Sequence, residues 1–360
     1  RGLSRHPVVF VNYAGVVFAI KELPHGLAEK EFRLLETMEQ SRLPVVSPVG
    51  YFQPAGPGHP HGALITRYLD RSLPYRSLFM SSSLMHYRQH LLDAIAGLLV
   101  QLHLAGVYWG DCSLSNTLFR RDAGALQAYL VDAETAAVFV NLPATDRFED
   151  LLIMEENIDG DLLDLRALNL LADSVPISET GAYIKLRYQN LWEEITREDI
   201  ISAGERYRIQ ERIRALNELG FSVGDVELAE TENGEQLRLR VVVSDRNFHH
   251  DQLQTLTGID AQERQAQKMM NEIQELKATL SNQYNRSTPL SAAAYHWLEN
   301  VYGPVVARLR QASDQEQDFF EQYCQVLEHK WYLAERARQD VGHGAATEDY
   351  LKYIVPQSSP

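Results

Sequence analysis

Five polar residues in the first half of the chain fall in an order that indicates chemistry. Lys21 ends an apolar run that predicts a strand, and Glu31 follows ten residues later in a segment with helical periodicity. Asp111 and Asn116 are separated by four residues, in a predicted loop that follows a long apolar helix and a glycine. Asp132 ends a second hydrophobic strand. Each position alone is common, so the argument rests on their joint order and on the elements that carry them.

Phosphoryl transfer from a nucleotide to a hydroxyl needs these types of side chain in this order. A lysine neutralises the nucleotide phosphates, and a glutamate on a helix fixes that lysine. One aspartate orients the acceptor hydroxyl and takes its proton, while an asparagine and a second aspartate hold Mg²⁺. Carboxylate and amide oxygens are hard ligands, which suit Mg²⁺. The pattern therefore predicts phosphotransfer chemistry supported by a divalent metal.

The elements that must position these residues can be predicted from hydrophobic periodicity. The first ~65 residues favour strands around one helix, and a hairpin turn at 12–15 joins the first two strands. From about Ser83 the periodicity becomes helical, and a short strand pair follows the predicted catalytic loop. The predicted segments are Val8–Val11, Val16–Ile20, the helix Leu27–Gln40, Val49–Phe52, Ala63–Tyr68, the helix Leu84–Ala105, Thr117–Phe119 and Tyr129–Val131.

The second half of the chain is predicted to be mostly helical, with one β-hairpin. The region begins near Val175, and a helical segment ends at Gly220. His249, His250 and Asp251 are interpreted as a polar loop rather than a metal site, because no further ligand lies at metal spacing. The predicted segments are a mostly helical stretch over 184–219, hairpin strands at 221–229 and 236–243, helices at 259–280, 291–311 and 316–339, and a short helix near Asp349.

The first ~170 residues resemble the protein-kinase-like superfamily, and most closely the bacterial lipopolysaccharide-kinase (Kdo/WaaP-type) branch. Lys21 matches the strand lysine of the Val-Ala-Ile-Lys pattern, and Glu31 matches the helix glutamate, with Glu36 as the weaker alternative. Asp111 matches the catalytic base, and Asn116 and Asp132 match the metal-binding asparagine and aspartate. The resemblance implies an α+β fold with a two-lobed kinase-like core, consisting of an antiparallel sheet with one helix and a helical C-lobe. It also implies ATP and Mg²⁺ as cofactors, with Lys21, Glu31 and Asp111 as catalytic residues.

Several positions depart from the family pattern. Trp109 stands where the family has histidine, and the Asp-Phe-Gly triplet is Asp132-Ala133-Glu134, so that Glu134 could be an extra metal ligand. No Gly-x-Gly-x-x-Gly motif precedes Lys21, and the segment containing Gly2, Ser4 and Arg5 could instead close over the phosphates.

The segment after Asp132 is short and lacks Ala-Pro-Glu, which disfavours a peptide-docking groove of the usual type. Arg67, Tyr68 and Leu69 resemble the hinge whose backbone meets adenine.

The second half resembles a bacterial domain of unknown function that follows kinase-like modules of the lipopolysaccharide-kinase type. The matching stretches are 242–245, 256–259, 263–266 and 327–335. We therefore expect a kinase-like N-lobe at 1–66, a reduced C-lobe at 67–174 and a mainly helical accessory domain with a β-hairpin at 175–360.

The predicted function is an ATP/Mg²⁺-dependent phosphotransferase that acts on a hydroxyl of a sugar, a small molecule or a protein. A nucleotide-binding pseudokinase acting as a regulatory scaffold is one alternative, and an AMP-transferring enzyme on the same fold is another. The expected partners are a nucleotide and an unidentified acceptor, and the C-terminal domain is a candidate surface for a protein partner.

Composition bounds these interpretations. The 360 residues include 34 Lys and Arg against 49 Asp and Glu, a net charge of −15, which makes bulk binding of nucleic acid unfavourable. Cys112 and Cys324 form neither a metal-ligand spacing nor a disulfide framework, which favours a reducing, cytoplasmic location. The most apolar stretch, 91–107, contains Asp93 and His103 and is predicted to be a buried helix, so no membrane span is expected.

Overall fold

A computed structural model of the chain describes residues 6–54, 61–80, 87–171, 175–202, 205, 207–230, 236–312 and 317–353. Gly2, Ser4 and Arg5, the predicted phosphate cover, lie outside these residues. The chain divides into two compact units. The first comprises Arg1–Arg120, Leu126–Arg214 and Val223–Asp245, and the second comprises Arg121–Ala125, Ala215–Ser222 and Arg246–Pro360.

The first unit begins with a four-stranded antiparallel sheet. Its elements are β1 (Val8–Tyr13), β2 (Val16–Pro24), α1 (Leu27–Gln40), β3 (Pro48–Phe52) and β4 (His61–Arg67), and the strand order is β1-β2-β4-β3. Lys21 lies on β2, opposite Val8 of β1 and Leu64 of β4. On α1, Ala28, Leu35 and Met38 are buried at helical spacing, and Glu31 lies on this buried face.

The rest of the first unit is helical with three small sheets. Its buried helix α3 is apolar on most sides, as the sequence predicted for a core helix. The sheets have the orders β5-β7-β8, β6-β9 and β10-β12-β11. The elements are β5 (Leu73–Pro74), α2 (Tyr75–Met80), α3 (Tyr87–Leu104), β6 (Val107–Tyr108), β7 (Thr117–Asp122), β8 (Ala125–Leu130), β9 (Ala137–Val138), α4 (Ala144–Ala167), α5 (Ile177–Thr196), β10 (Asp199–Ser202), α6 (Tyr207–Glu218), β11 (Ser222–Glu230) and β12 (Gln236–Asp245).

The second unit is built from helices around an aromatic core. Trp297, Tyr302 and Tyr323 are buried and in mutual ring contact, with centroids 4.9 to 5.8 Å apart. Its helices are α7 (Phe248–Thr257), α8 (Glu263–Tyr284), α9 (Leu290–Trp297), a π-helical turn (Leu298–Tyr302), α10 (Gly303–Gln311), α11 (Phe319–Ala337) and α12 (Gly342–Tyr353). Within the described residues, no helix is both long and apolar enough to cross a membrane.

The predicted fold class is confirmed, since an antiparallel sheet with one helix precedes a mainly helical remainder that contains a β-hairpin. One local prediction is wrong, since His249 and His250 lie on α7 rather than in a loop. The mostly helical segment 184–219 also contains the short strand β10, which pairs with β12. The helix predicted over 291–311 includes a π-helical turn shortly before Pro304, which cannot donate a backbone hydrogen bond.

The compact units also divide the chain differently from the predicted boundary at 175, because α5 packs on α3 and α4. The predicted domain limits therefore remain a prediction from sequence. Tyr295, Trp331 and Tyr332, on the last helices, are exposed.

Gly106 and Gly15 provide a matched test of the turn that leads into the catalytic loop. Both have positive φ, but a Cβ on Gly106 would lie 2.1 Å from the backbone oxygen of Phe139, whereas one on Gly15 meets nothing within 4 Å. We expect Gly106→Ala to lower the free energy of unfolding by about 3 kcal/mol and Gly15→Ala by about 1 kcal/mol. Urea denaturation measures both, and equal losses would contradict the predicted backbone clash.

Candidate active site

Lys21 lies at the centre of a cluster of carboxylates. Its Nζ donates to both oxygens of Glu31, at 3.2 and 3.1 Å, and to Oδ2 of Asp132, at 2.6 Å. A carboxylate oxygen of Glu134 lies 4.0 Å from the same nitrogen. The predicted lysine, helix glutamate and strand aspartate are therefore brought together, although 111 residues separate Lys21 from Asp132. Glu36, the weaker alternative to Glu31, pairs with Arg33 at the surface.

Burial sets the electrostatics of this cluster. The side chain of Glu31 is fully buried, and desolvation, together with the negative charge of Asp132, raises its pKa to about 7 against the opposing effect of Lys21. Desolvation acts to lower the pKa of Lys21, but the charges of Glu31 and Asp132 outweigh it and raise that pKa. Lys21 is therefore held as a cation within a group of acids.

A second cluster surrounds Asp111. Its Oδ2 accepts a hydrogen bond from Nδ2 of Asn116 at 3.0 Å, and its Oδ1 accepts one from Nδ2 of Asn157 on α4, also at 3.0 Å. The Asn116 amide donates in addition to the backbone oxygen of Asp111 at 3.1 Å. Since a backbone oxygen can only accept, these contacts place Nδ2 of Asn116 on the Asp111 side and turn its Oδ1 away from it.

The loop that carries Asp111 is held by one face of α4. Asp150 is fully buried and accepts hydrogen bonds from the backbone N–H groups of Trp109 and Gly110, both at 2.8 Å. Asp161 accepts from the backbone N–H of Ser115 at 3.0 Å. Burial raises the pKa of Asp161, against the effect of these backbone donors. Together these carboxylates hold both ends of the catalytic loop.

His103 extends this buried network from α3. Its Nε2 lies 3.0 Å from Asp150, and its Nδ1 lies 2.8 Å from the hydroxyl of Tyr188 on α5. Burial lowers the pKa of His103 against the opposing effect of Asp150, which favours the neutral imidazole.

Trp109 links the two clusters. Its indole Nε1 donates to the backbone oxygen of Asp132 at 3.0 Å, and its own backbone oxygen accepts from the Thr135 hydroxyl at 2.8 Å. The backbone N–H of Ala133 donates to Glu31 at 3.2 Å. The departure from histidine at position 109 therefore leaves a direct hydrogen bond between the catalytic loop and the segment that follows β8.

The predicted hinge contributes less free backbone than expected. The N–H groups of Arg67 and Tyr68 already donate to the backbone oxygens of Ser47 and Val17, at 2.8 and 2.9 Å. The backbone oxygen of Leu69 accepts from Ser72 at 3.2 Å. A base bound along this segment would therefore have to use other backbone groups than these two donors.

The oxygen donors near Asp132 fit a divalent cation of the Mg²⁺ type. Within the described part of the chain, no three His, Cys, Asp or Glu side chains are grouped as a metal site. Mg²⁺, however, is usually held by one or two carboxylates together with substrate phosphates and water. Asp132 supplies a partly exposed carboxylate, and the backbone N–H of Glu134 donates to its Oδ1 at 3.0 Å.

Three residues of the site were missed from the sequence: Asp150, Asn157 and Asp161. All three lie on α4, which follows a short loop after Asp132. Asn157 comes seven residues after Asp150, and Asp161 comes four residues after Asn157. That spacing places them on one face of a helix, and polar residues among buried Leu and Ile positions were the available signal.

Comparisons with known proteins support the kinase-like assignment. Residues 17–163 match the model of the lipopolysaccharide kinase (Kdo/WaaP) family, and residues 190–355 match that of a domain of unknown function (DUF4032). These matches confirm the predicted combination of a lipopolysaccharide-kinase-like module and a following domain of unknown function, and support a kinase-type phosphotransferase.

Among solved structures, WaaP in complex with acyl carrier protein is 18% identical, with a TM-score of 0.35, covering 54% of this chain and 88% of that chain. The search of curated proteins found no match.

Replacing Lys21 tests the charge balance of the first cluster. We expect Lys21→Met to lower the free energy of unfolding by about 3 kcal/mol or more at pH 8, because Glu31 loses its cation while it stays buried. Folded Glu31 binds its proton more tightly than the unfolded chain, with a pKa of about 7 against an ordinary 4.5. The parent itself therefore gains stability as pH falls through that window. Lys21 holds the pKa of Glu31 down, so the pKa is higher still in the variant, which gains more than the parent, and its deficit should be smaller at pH 5 than at pH 8.

Urea denaturation at several pH values measures this effect. The exposed neighbour Lys30→Met is the control, with an expected change within about 0.5 kcal/mol. Adding Glu31→Gln to Lys21→Met should recover stability at pH 8, because the buried negative charge is then absent. A deficit that does not depend on pH would contradict the role of Glu31.

Proposed function

We propose that the first unit is an ATP- and Mg²⁺-dependent phosphotransferase that moves a phosphoryl group to a hydroxyl. The observation that carries this proposal is the pair of linked clusters, in which Trp109 joins the loop of Asp111 to the backbone of Asp132. One cluster presents a cation for phosphates, and the other presents an oriented carboxylate. Phosphoryl transfer depends chiefly on such positioning and on charge stabilisation.

Lys21 would bind the nucleotide phosphates, and Glu31 would hold Lys21 in place. In the structure Lys21 also contacts Asp132 at 2.6 Å. Phosphate oxygens would compete with that carboxylate for the ammonium group, and Asp132 would then be free to ligate a cation. Glu31, fully buried and bonded to the backbone N–H of Ala133, is the fixed partner.

Asn116, Asp132 and Glu134 are the proposed ligands of Mg²⁺, which when bound would neutralise charge that develops on the transferred group. Asn116 would use its Oδ1, since its Nδ2 donates to Asp111. Glu134 currently contacts His6 at 3.3 Å. Its role as an extra ligand is the least constrained of the three.

Asp111 is the proposed general base. Two amide donors fix its carboxylate, which would accept the proton of the acceptor hydroxyl as that oxygen attacks phosphorus. The acceptor is proposed to be a sugar, a small molecule or a protein. Adenine contact near Arg67, Tyr68 and Leu69, and phosphate cover by Gly2, Ser4 and Arg5, remain predictions.

The second unit and the cellular setting are also matters of proposal. We place the protein in the cytoplasm, and we propose that the C-terminal domain binds a protein partner. The presence of a complete set of polar groups at the site favours turnover over a pseudokinase scaffold. AMP transfer is the alternative outcome of the experiment that follows.

Radiolabelled ATP tests the reaction. With Mg²⁺ and a cell extract as acceptor source, we expect label from the γ position, and none from the α position, to enter a product. Asp111→Asn should lower transfer by at least about a hundredfold, since it removes the base. Glu149→Gln, at an exposed acid on α4, is the control and should transfer as the parent does.

Incorporation of α label alone would replace phosphoryl transfer by AMP transfer. Equal transfer by Asp111→Asn and the parent would refute the assignment of the base. No incorporation from either label, with nucleotide bound, would favour the scaffold.

Nucleotide binding tests the metal site separately. We expect ATP with Mg²⁺ to raise the thermal midpoint of the parent, because a ligand that binds the folded state stabilises it. Asp132→Asn should reduce the Mg²⁺-dependent part of that rise. Asp111→Asn should keep it, since Asp111 is assigned to the acceptor side. The measurement is a thermal shift with ATP in the presence of Mg²⁺ or of a chelator, and an equal shift in both would contradict the metal assignment.

A further inference from the structure

Helix α4 carries three polar side chains that contact the catalytic loop. Asp150, Asn157 and Asp161 lie on one face, since they are spaced seven and four residues apart. Asp150 and Asp161 accept hydrogen bonds from the backbone of the loop. Asn157 differs, because it donates to the side chain of Asp111 itself.

The hydrogen bonds of Asn157 fix the orientation of its amide group. Nδ2 lies 3.0 Å from Oδ1 of Asp111 and 3.3 Å from the backbone oxygen of Cys112. Both neighbouring oxygens act as acceptors, so the NH₂ group, rather than the amide oxygen, must face them. One hydrogen of that group serves each oxygen. Because both neighbouring oxygens are acceptors, Asn157 donates to the Asp111 carboxylate.

The carboxylate of Asp111 is held from two directions. Asn116 donates to Oδ2 from within the loop, and Asn157 donates to Oδ1 from 46 residues further along the chain. A carboxylate held at both oxygens cannot turn freely about its last side-chain bond.

We propose that Asn157 is a positioning residue for phosphoryl transfer, which sets the direction in which Asp111 meets the acceptor hydroxyl. This inference rests on the proposed function, because it assigns Asp111 as the base. Asn116 holds Asp111 only from within the same loop, and it is itself a proposed Mg²⁺ ligand. Asn157 projects from a 24-residue helix that Asp150 and Asp161 also tie to the loop, so its position is fixed independently of the ligand.

The catalytic test compares Asn157→Leu and Asn157→Asp with the parent. Both variants remove the donor, and both nearly keep the size of the side chain. We expect kcat to fall by about tenfold to a hundredfold, because misplacement of a reacting group by about 1 Å has effects of that size. KM and Kd for ATP with Mg²⁺ should stay within about twofold, since Lys21 and Asp132 are untouched. Glu156→Gln, at the exposed neighbouring position, is the control and should match the parent.

A merely structural Asn157 gives a different result. In that case the variants would lose thermal stability while kcat and KM both matched the parent. That result, or a fall in kcat matched by an equal loss of nucleotide affinity, would overturn the proposal.

A crystal structure of Asn157→Leu provides a test that does not need turnover. We expect the Asp111 carboxylate to be rotated or to occupy two orientations, while the backbone from Trp109 to Asn116 stays in place. An unchanged single orientation of Asp111 would overturn the proposal even in an active enzyme. The parent could lack phosphotransfer while the Asp111 carboxylate is still rotated in the variant. That result would refute the proposed function but support the conclusion that Asn157 orients Asp111.

Discussion

The site depends on one cation, Lys21, which pairs with the fully buried Glu31 and with the partly exposed Asp132. Glu31 is fully buried, and its raised pKa shows how unfavourable its charge is even with Lys21 at 3.1 Å. An isolated buried carboxylate costs several kcal/mol, so β2, α1 and the end of β8 must stay in register for the cluster to exist. In the proposed function, the same contacts would hold the ammonium group of Lys21 for the nucleotide phosphates.

Helix α4 imposes the second constraint. In the proposed function this loop carries the base, and side chains of a regular helix add to the hydrogen bonds that form within the loop. Here three side chains of one helix contact the loop near its beginning, at the Asp111 carboxylate and near its end. Asp150 is in turn bonded to His103, so the loop is connected to the buried core helix α3. Such support from a regular element is what keeps a reactive carboxylate in one orientation.

The departures from the kinase pattern become understandable in this arrangement. Trp109 stands where the family pattern has histidine, and its indole N–H donates to the backbone oxygen of Asp132. Glu134 follows Asp132 with its backbone N–H turned onto that carboxylate, which fixes the orientation of Asp132. The residue types differ from the family, whereas the hydrogen bonds that connect the loop to the strand end are present.

The sequence by itself determined the elements with strong local periodicity, such as α1 over 27–40, and the residue types in their order, Lys21, Glu31, Asp111, Asn116 and Asp132. Both follow from the spacing of residues along the chain, which does not depend on tertiary contacts. Only the tertiary structure decided that β10 interrupts the segment 184–219 and that Asn157 holds Asp111. Each of these depends on contacts between distant segments, including 46 residues between Asn157 and Asp111, and burial and pairing at such separations leave no periodic signal in the sequence.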